Sequence, residues 1–140
     1  MNFKKIITTG FIVGMLSNLW GLVTCQWLFK WVYFLVPAGV CNTAMLGADK
    51  RWLLTMGALK IIIAILTTFG YALVYKAIPG KGIAKGMAYG FLLWLLGFLP
   101  SRLLLYMSTS LSYSLILYWI INDLLSYMLI GACVAALYKE

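Results

Sequence analysis

The chain has 140 residues, 64% of them hydrophobic and 10% charged, with a mean hydropathy of +0.99. Soluble domains average roughly 45–50% apolar and about 25% charged, so one water-soluble domain of this length cannot hide so much apolar surface. The net charge is +8, from eleven Lys and Arg against three acids, but the basic residues lie mostly between apolar runs, which implies anionic lipid headgroups and no nucleic acid as their partner.

A helix needs about 20 apolar residues to cross a bilayer core. Four segments qualify, over about residues 6–29, 52–75, 83–106 and 115–138. Their apolar runs are continuous and not alternating, which selects helices over barrel strands. Met1 to Gly14 has the basic start of a signal peptide (Lys4, Lys5). The apolar run continues past Leu22 without a small-x-small cleavage site, and so reads as a retained first helix. After it, WVYFLVP (31–37) either extends that helix or lies at the interface, and Pro37, Gly39 and Asn42 then break it. The second connection, KAIPGKGIAKG, is basic and Gly-rich, and the third, STSLSYS, is uncharged. Both are short, which makes the helices they join antiparallel neighbours. The expected fold is therefore all-α: one domain, 1–140, forming an integral membrane four-helix bundle.

Lys4, Lys5, Lys76, Lys81, Lys85 and Lys139 fall on one side of the membrane; Lys30, Lys50 and Arg51 fall on the other. The positive-inside rule then predicts a multi-pass cell-membrane protein with both termini in the cytoplasm. Tyr71, Tyr75, Tyr89 and Tyr138 lie toward the inner interface, and Trp27, Trp31, Trp52, Tyr106, Tyr113, Tyr118 and Trp119 toward the outer one.

The chain also resembles itself. A shift of 76 residues aligns Lys5 with Lys81, Gly10 with Gly86, Gly14 with Gly90 and Gly21 with Gly97; a shift of 63 aligns Tyr75-Lys76 with Tyr138-Lys139. Two tandem hairpins related by a pseudo-twofold axis along the membrane normal would produce this pattern. Gly10, Gly14, Gly82, Gly86, Gly90 and, more weakly, Gly131 form small-x-x-x-small patterns that let helix backbones approach closely.

Ionisable residues inside a span are costly and mark candidate sites. Lys60 and Asp123 each lie eight residues inside their helices, and at 1.5 Å per residue both sit roughly 12 Å below the outer boundary. Arg102 is shallower, and Pro100 just before it should kink the third helix. The 63-residue shift equates Lys60 with Asp123, and the 76-residue shift equates Gln26 with Arg102. Gln26, Lys60, Arg102 and Asp123, with Asn122 adjacent, thus form one polar layer. Three readings of it remain open: Asp123 pairs with Lys60 or Arg102 and fixes helix register, the layer's excess positive charge binds an anion, a headgroup, a quinone carbonyl or a partner's carboxylate, or Lys60 and Arg102 snorkel to separate headgroups.

There is no histidine, no paired-carboxylate site, and no C-x-x-C among Cys25, Cys41 and Cys133. The pattern predicts no catalytic residue, no metal and no cofactor. Cys25 and Cys41 are either a disulfide or two buried thiols.

The second half, with its Gly-Lys-Gly loop, its Trp94-x-x-Gly97-x-x-Pro100 helix and its terminal Gly131…Tyr138-Lys139 helix, resembles small four-helix membrane proteins of unknown function in bacteria and archaea. The resemblance implies a fold without an activity. Almost no mass lies outside the spans, so the expected role is a non-enzymatic accessory or structural subunit. Its partners would be the bilayer and either other transmembrane subunits or further copies of itself. The alternative is a small transporter, channel or lipid- or quinone-binding protein that uses the polar layer.

Overall fold

In hydrocarbon every backbone N–H and C=O must find its partner within the segment, so long apolar runs fold as helices. The computed structural model describes residues 2–24, 50–109 and 111–138. Among these it shows four helices, each long and apolar enough to cross a membrane, and no strand. They are α1 (Phe3–Val23), α2 (Lys50–Val74), α3 (Gly82–Ser108) and α4 (Tyr113–Leu137). The architecture is an all-α four-helix bundle and fits an integral, multi-pass membrane protein.

The helices begin one to three residues before the apolar runs do, and at α1 and α4 a polar cap sets the start. Asn2 accepts from the Lys5 N–H at 3.3 Å and starts α1; Ser112 accepts from the Leu115 N–H at 3.3 Å and starts α4. Within the spans, hydroxyls bond back to carbonyls of their own helix: Thr68 donates to Ala64 at 2.8 Å, and Ser126 to Asn122 at 2.7 Å. The chain from Cys25 to Asp49 lies outside the described residues, and with it the end of the first predicted helix, the 30–36 segment, Gln26, Cys25 and Cys41.

Glycine positions set the two tightest helix pairs. In α1–α2, a Cβ on Gly10 would fall 2.5 Å from Ile65 Cα, and one on Gly14 would fall 2.7 Å from Ile61 Cα. Asn18, one turn further along, donates to the carbonyls of Gly14 (3.0 Å) and Gly57 (3.2 Å), tying the same pair together. In α3–α4, Gly86 and Gly131 face each other backbone to backbone, and Gly90 rests on the Tyr127 backbone. The molecule is thus two antiparallel hairpins. They meet chiefly through α1 and α4, where the Trp20 indole donates to Ser126 Oγ at 2.9 Å. α2 and α3 touch where the Tyr89 hydroxyl donates to the Thr67 carbonyl at 2.8 Å.

Gly82 plays a different part from the one its spacing suggests. It stands at the first turn of α3 with φ +57°, and a Cβ there would meet nothing within 4 Å. It serves the tight turn with Gly80 (φ +101°), a conformation that L side chains resist, and not helix packing. Gly97 likewise meets nothing within 4 Å. The two hairpins also differ in register. Carried through both shifts, the contact of Gly10 with Ile65 would place Gly86 on Met128; Gly86 instead meets Gly131 and Ala135, about one helical turn away.

The expected kink at Pro100 takes the form of a π-helical turn over Trp94–Phe98, where the Leu99 N–H reaches back to the Trp94 carbonyl. Proline has no N–H to donate, and the wider turn before it absorbs the misfit by carrying one extra residue. Beyond it, Leu99–Ser108 buries no residue; Leu104 is 67% and Met107 83% exposed. The connected core (Ile6, Val13, Ala64, Tyr71, Ile78, Tyr89, Val134, Ala135, Tyr138) lies mostly toward the end carrying the Tyr75–Lys81 turn.

Candidate functional site

Polar side chains gather at two levels of the bundle. At the level of the predicted polar layer, Arg102 Nε donates to Asp123 Oδ2 at 2.7 Å, joining α3 to α4. Helix side chains lean toward the N-terminus of their own helix, so Arg102 reaches back into the span instead of out to the interface. Its guanidinium also lies 5.2 Å from the Trp119 ring, a cation–π contact. The pair is half-buried, at 29% and 16% side-chain exposure, and Asp123 is the one acid among the described residues.

The other described members of the layer, Lys60 and Asn122, make no hydrogen bond or ion pair with it. Lys60 places its ammonium against Gly21 of α1, where the missing side chain leaves room for it, and forms no ion pair among the described residues. Asn122 is not bonded to the pair either: its Oδ1 is buried with no hydrogen-bond donor among the described residues. The layer therefore divides into a neutral α3–α4 pair and a half-buried cation within the α1–α2 hairpin. The π turn positions the neutral pair, since it sets the face on which Arg102 leaves α3. At the two ends of that turn, the Trp94 indole donates to the Ile120 carbonyl at 3.1 Å, and Phe98 packs on Tyr127 at 4.2 Å between ring centroids.

The second level lies at the opposite, lysine-rich end. The central ring is Tyr71, 1% exposed, with Tyr75, Tyr89 and Tyr138 edge-on around it at centroid distances of 5.5, 5.2 and 6.3 Å. Lys85, expected as an interfacial anchor in the basic connection, is instead buried at 8% exposure with its Nζ 3.7 Å from the Tyr75 ring centroid. Lys5 stands over Tyr138 at 5.7 Å. Residues from all four helices or their ends thus meet here. The sequence signal for the group is the i, i+4 spacing of Tyr71 with Tyr75 and of Lys85 with Tyr89, which puts each pair on one helix face. Read as interface belts, those residues gave no hint that their rings converge.

Between α1 and α4 a groove of about 180 Å³ is lined by Val13, Leu16, Trp20, Leu129, Ile130 and Cys133, among others. Among the described residues no group of His, Cys, Asp and Glu has a metal-binding arrangement. Comparison with protein-family models, curated proteins and solved structures finds no match, so the chemistry of these two levels rests on the chain's own residues.

Proposed function

We propose that the chain is a non-enzymatic integral membrane subunit of the cell membrane, with both termini in the cytoplasm, that packs against other transmembrane segments. One observation carries this reading: among the described residues no side chain of the α3 stretch Leu99–Ser108 is fully buried, although it is helical and holds Leu103, Leu104 and Met107 on its surface. An intramembrane helix that makes so few contacts of its own is a natural docking face for a further helix. The Arg102–Asp123 pair supports the same reading, because it neutralises the only described acid internally and leaves it no open site.

A photo-crosslinking residue at Leu104 or Met107, with Leu19 of α1 as comparison, tests the docking face in cells. Protein adducts from the α3 positions, and a matching higher-mass species after mild extraction, are expected. Lipid adducts alone, together with a strictly monomeric purified chain, would remove the support for a subunit role.

The ligand-binding alternative has one observation in its favour, the half-buried Lys60, which has no ion pair among the described residues. It expects Lys60→Met to alter flux or ligand retention while leaving thermal stability within about 1 kcal/mol. If Lys60→Met changes stability and nothing else, Lys60 is a structural residue.

A further inference from the structure

The groove between α1 and α4 is an apolar cavity within the spans. Its polar lining among the described residues is Ser17 and Ser126, and the Ser126 hydroxyl is engaged twice, accepting from Trp20 at 2.9 Å and donating to the Asn122 carbonyl at 2.7 Å. A buried water needs about two to four polar partners, so an apolar cavity of about 150 Å³ stays dry and takes up a six-carbon ring instead. At about 180 Å³ the groove has room for hydrocarbon of at least that size. Leu16 on one wall and Leu129 on the other are each 45% exposed, so the groove opens sideways, toward the surface that faces lipid.

Shape narrows the occupant. The lining runs from Val13 to Trp20 on α1 and from Ser126 to Cys133 on α4, about 10 Å along each helix axis. Spread over that length, the volume leaves about 17 Å² in section, the width of one hydrocarbon chain; a helix is about 10 Å across and does not fit. A chain lying in the groove runs parallel to the helices, as lipid chains do in a leaflet. Lipid tails are as apolar as Leu, so no transfer from water favours the chain there. Packing does, because walls that face a gap forfeit dispersion contacts that methylene groups restore.

Charge at one end of the same seam selects the headgroup. Lys5 stands over Tyr138, the C-cap of α4, and so lies on the α1–α4 seam. Lys5, Ile12 and Leu16 follow one another at spacings of 7 and 4, which puts Lys5 on the groove side of α1, with Ile12, 47% exposed, between. Lys4, Lys76 and Lys81 are exposed at the same end. The helix ends cancel there: the positive starts of α1 and α3 share this level with the negative ends of α2 and α4. Lys139 and Glu140, next in sequence after Tyr138, carry opposite charges. The remaining balance is positive and suits an anionic headgroup. Val13 lies about 12 Å along α1 from Lys5, and half of a bilayer core of about 30 Å is about 15 Å deep. A lipid with its headgroup at that end therefore reaches the groove with the distal part of its chain.

We infer that the α1–α4 groove holds one acyl chain of an anionic phospholipid from the leaflet at the lysine-rich end. The groove takes the chain by shape, and the lysines select the headgroup at longer range, without a bond to any one of them. This groove is separate from the α3 face proposed for subunit docking and does not depend on that reading.

The full chain, reconstituted in phosphatidylcholine vesicles that contain phosphatidylglycerol with a photoreactive diazirine in the distal part of one acyl chain, tests this by peptide mass spectrometry. The expected result is labelling at Leu16, Leu129 and Ile130 well above that at Leu66. Leu66 of α2 is 62% exposed, lies about 12 Å from the end of its helix and reports ordinary lipid contact at the same depth. Photoreactive phosphatidylcholine should label the groove about fivefold less, the effect of one surface lysine, and Leu66 equally. Ser17→Phe and Cys133→Phe fill the groove from different helices; each should lower groove labelling to the Leu66 level and leave Leu66 unchanged. The comparison of the two lipids uses the unaltered chain, so the proposal stays testable even if neither variant folds. Groove labelling no higher than at Leu66 overturns the proposal, as does groove labelling that the filled variants retain. Equal groove labelling by the two lipids overturns the anionic headgroup. A photo-crosslinking residue at Leu129 that joins two chains in the same vesicles would place a second copy over the groove and overturn the proposal as well.

Discussion

Three residues of the predicted polar layer acquire separate roles once their neighbours are known. Arg102 and Asp123 neutralise each other, so Asp123→Asn leaves a guanidinium half-buried without a counter-ion. A fully buried pair broken this way loses about 3–5 kcal/mol; with Arg102 29% exposed, a loss of about 1–3 kcal/mol is expected in a denaturant or thermal titration. Replacing both together, Arg102→Met with Asp123→Leu, should restore most of that loss, because an apolar pair of similar volume needs no desolvation. Lys60 takes no part in the pair, so Lys60→Met should leave the effect of Asp123→Asn unchanged when the two are combined. Glycines separate in the same way. Gly86→Val drives a side chain into the Gly131 backbone and should cost about 1–3 kcal/mol or more, whereas Gly97→Ala, facing open space, should be silent in the same assay.

Among the elements, α3 departs furthest from a regular helix. Its π turn carries one residue more than an α-helix would, which rotates everything beyond it by about 100°. Deleting Gly97, where a Cβ would face open space, should let the turn relax to α while the segments on either side keep their faces, and the Arg102–Asp123 pair should survive. Deleting Ala88 instead rotates Gly86 away from the rest of the helix and should abolish the α3–α4 contact. Far-UV dichroism and thermal melts of the two deletions distinguish these outcomes: near-native for the first, unfolded or aggregated for the second. Pro100 made an irregularity in this helix legible in the sequence. Its form was not legible, because a kink, a bend and a π turn all answer a missing N–H.

The described helices form two hairpins joined mainly along α1 and α4 and at the tyrosine-rich end, with no residue of Leu99–Ser108 in α3 fully buried among them. The positive-inside count predicts that cysteines introduced near Lys4 and in the Tyr75–Lys81 turn are labelled from the cytoplasmic side, and one at Thr109 from the outside. Labelling of all three from one side would break the four-span topology. The internal repeat is legible in part at this scale. Gly10 and Gly14, and Gly86 and Gly90, all lie at close helix crossings, but the second hairpin is displaced by a turn because Gly86 and Gly131 fit together backbone to backbone.

Sequence alone determined the class and the four spans, because hydrophobic length against bilayer thickness needs no tertiary contact to be read. It also marked Gly10, Gly14, Gly86 and Gly90 as packing residues, since only small side chains at that spacing let helices touch. Tertiary structure decided which charge meets which. Counting in one dimension finds the shared depth of Lys60 and Asp123 and the shallower place of Arg102, but pairing depends on which face of each helix they leave, and a π turn resets that face for Arg102. It also decided that Lys85 is buried and that four tyrosines share one centre, since whether an interfacial residue points to water or inward depends on the helix packed beside it.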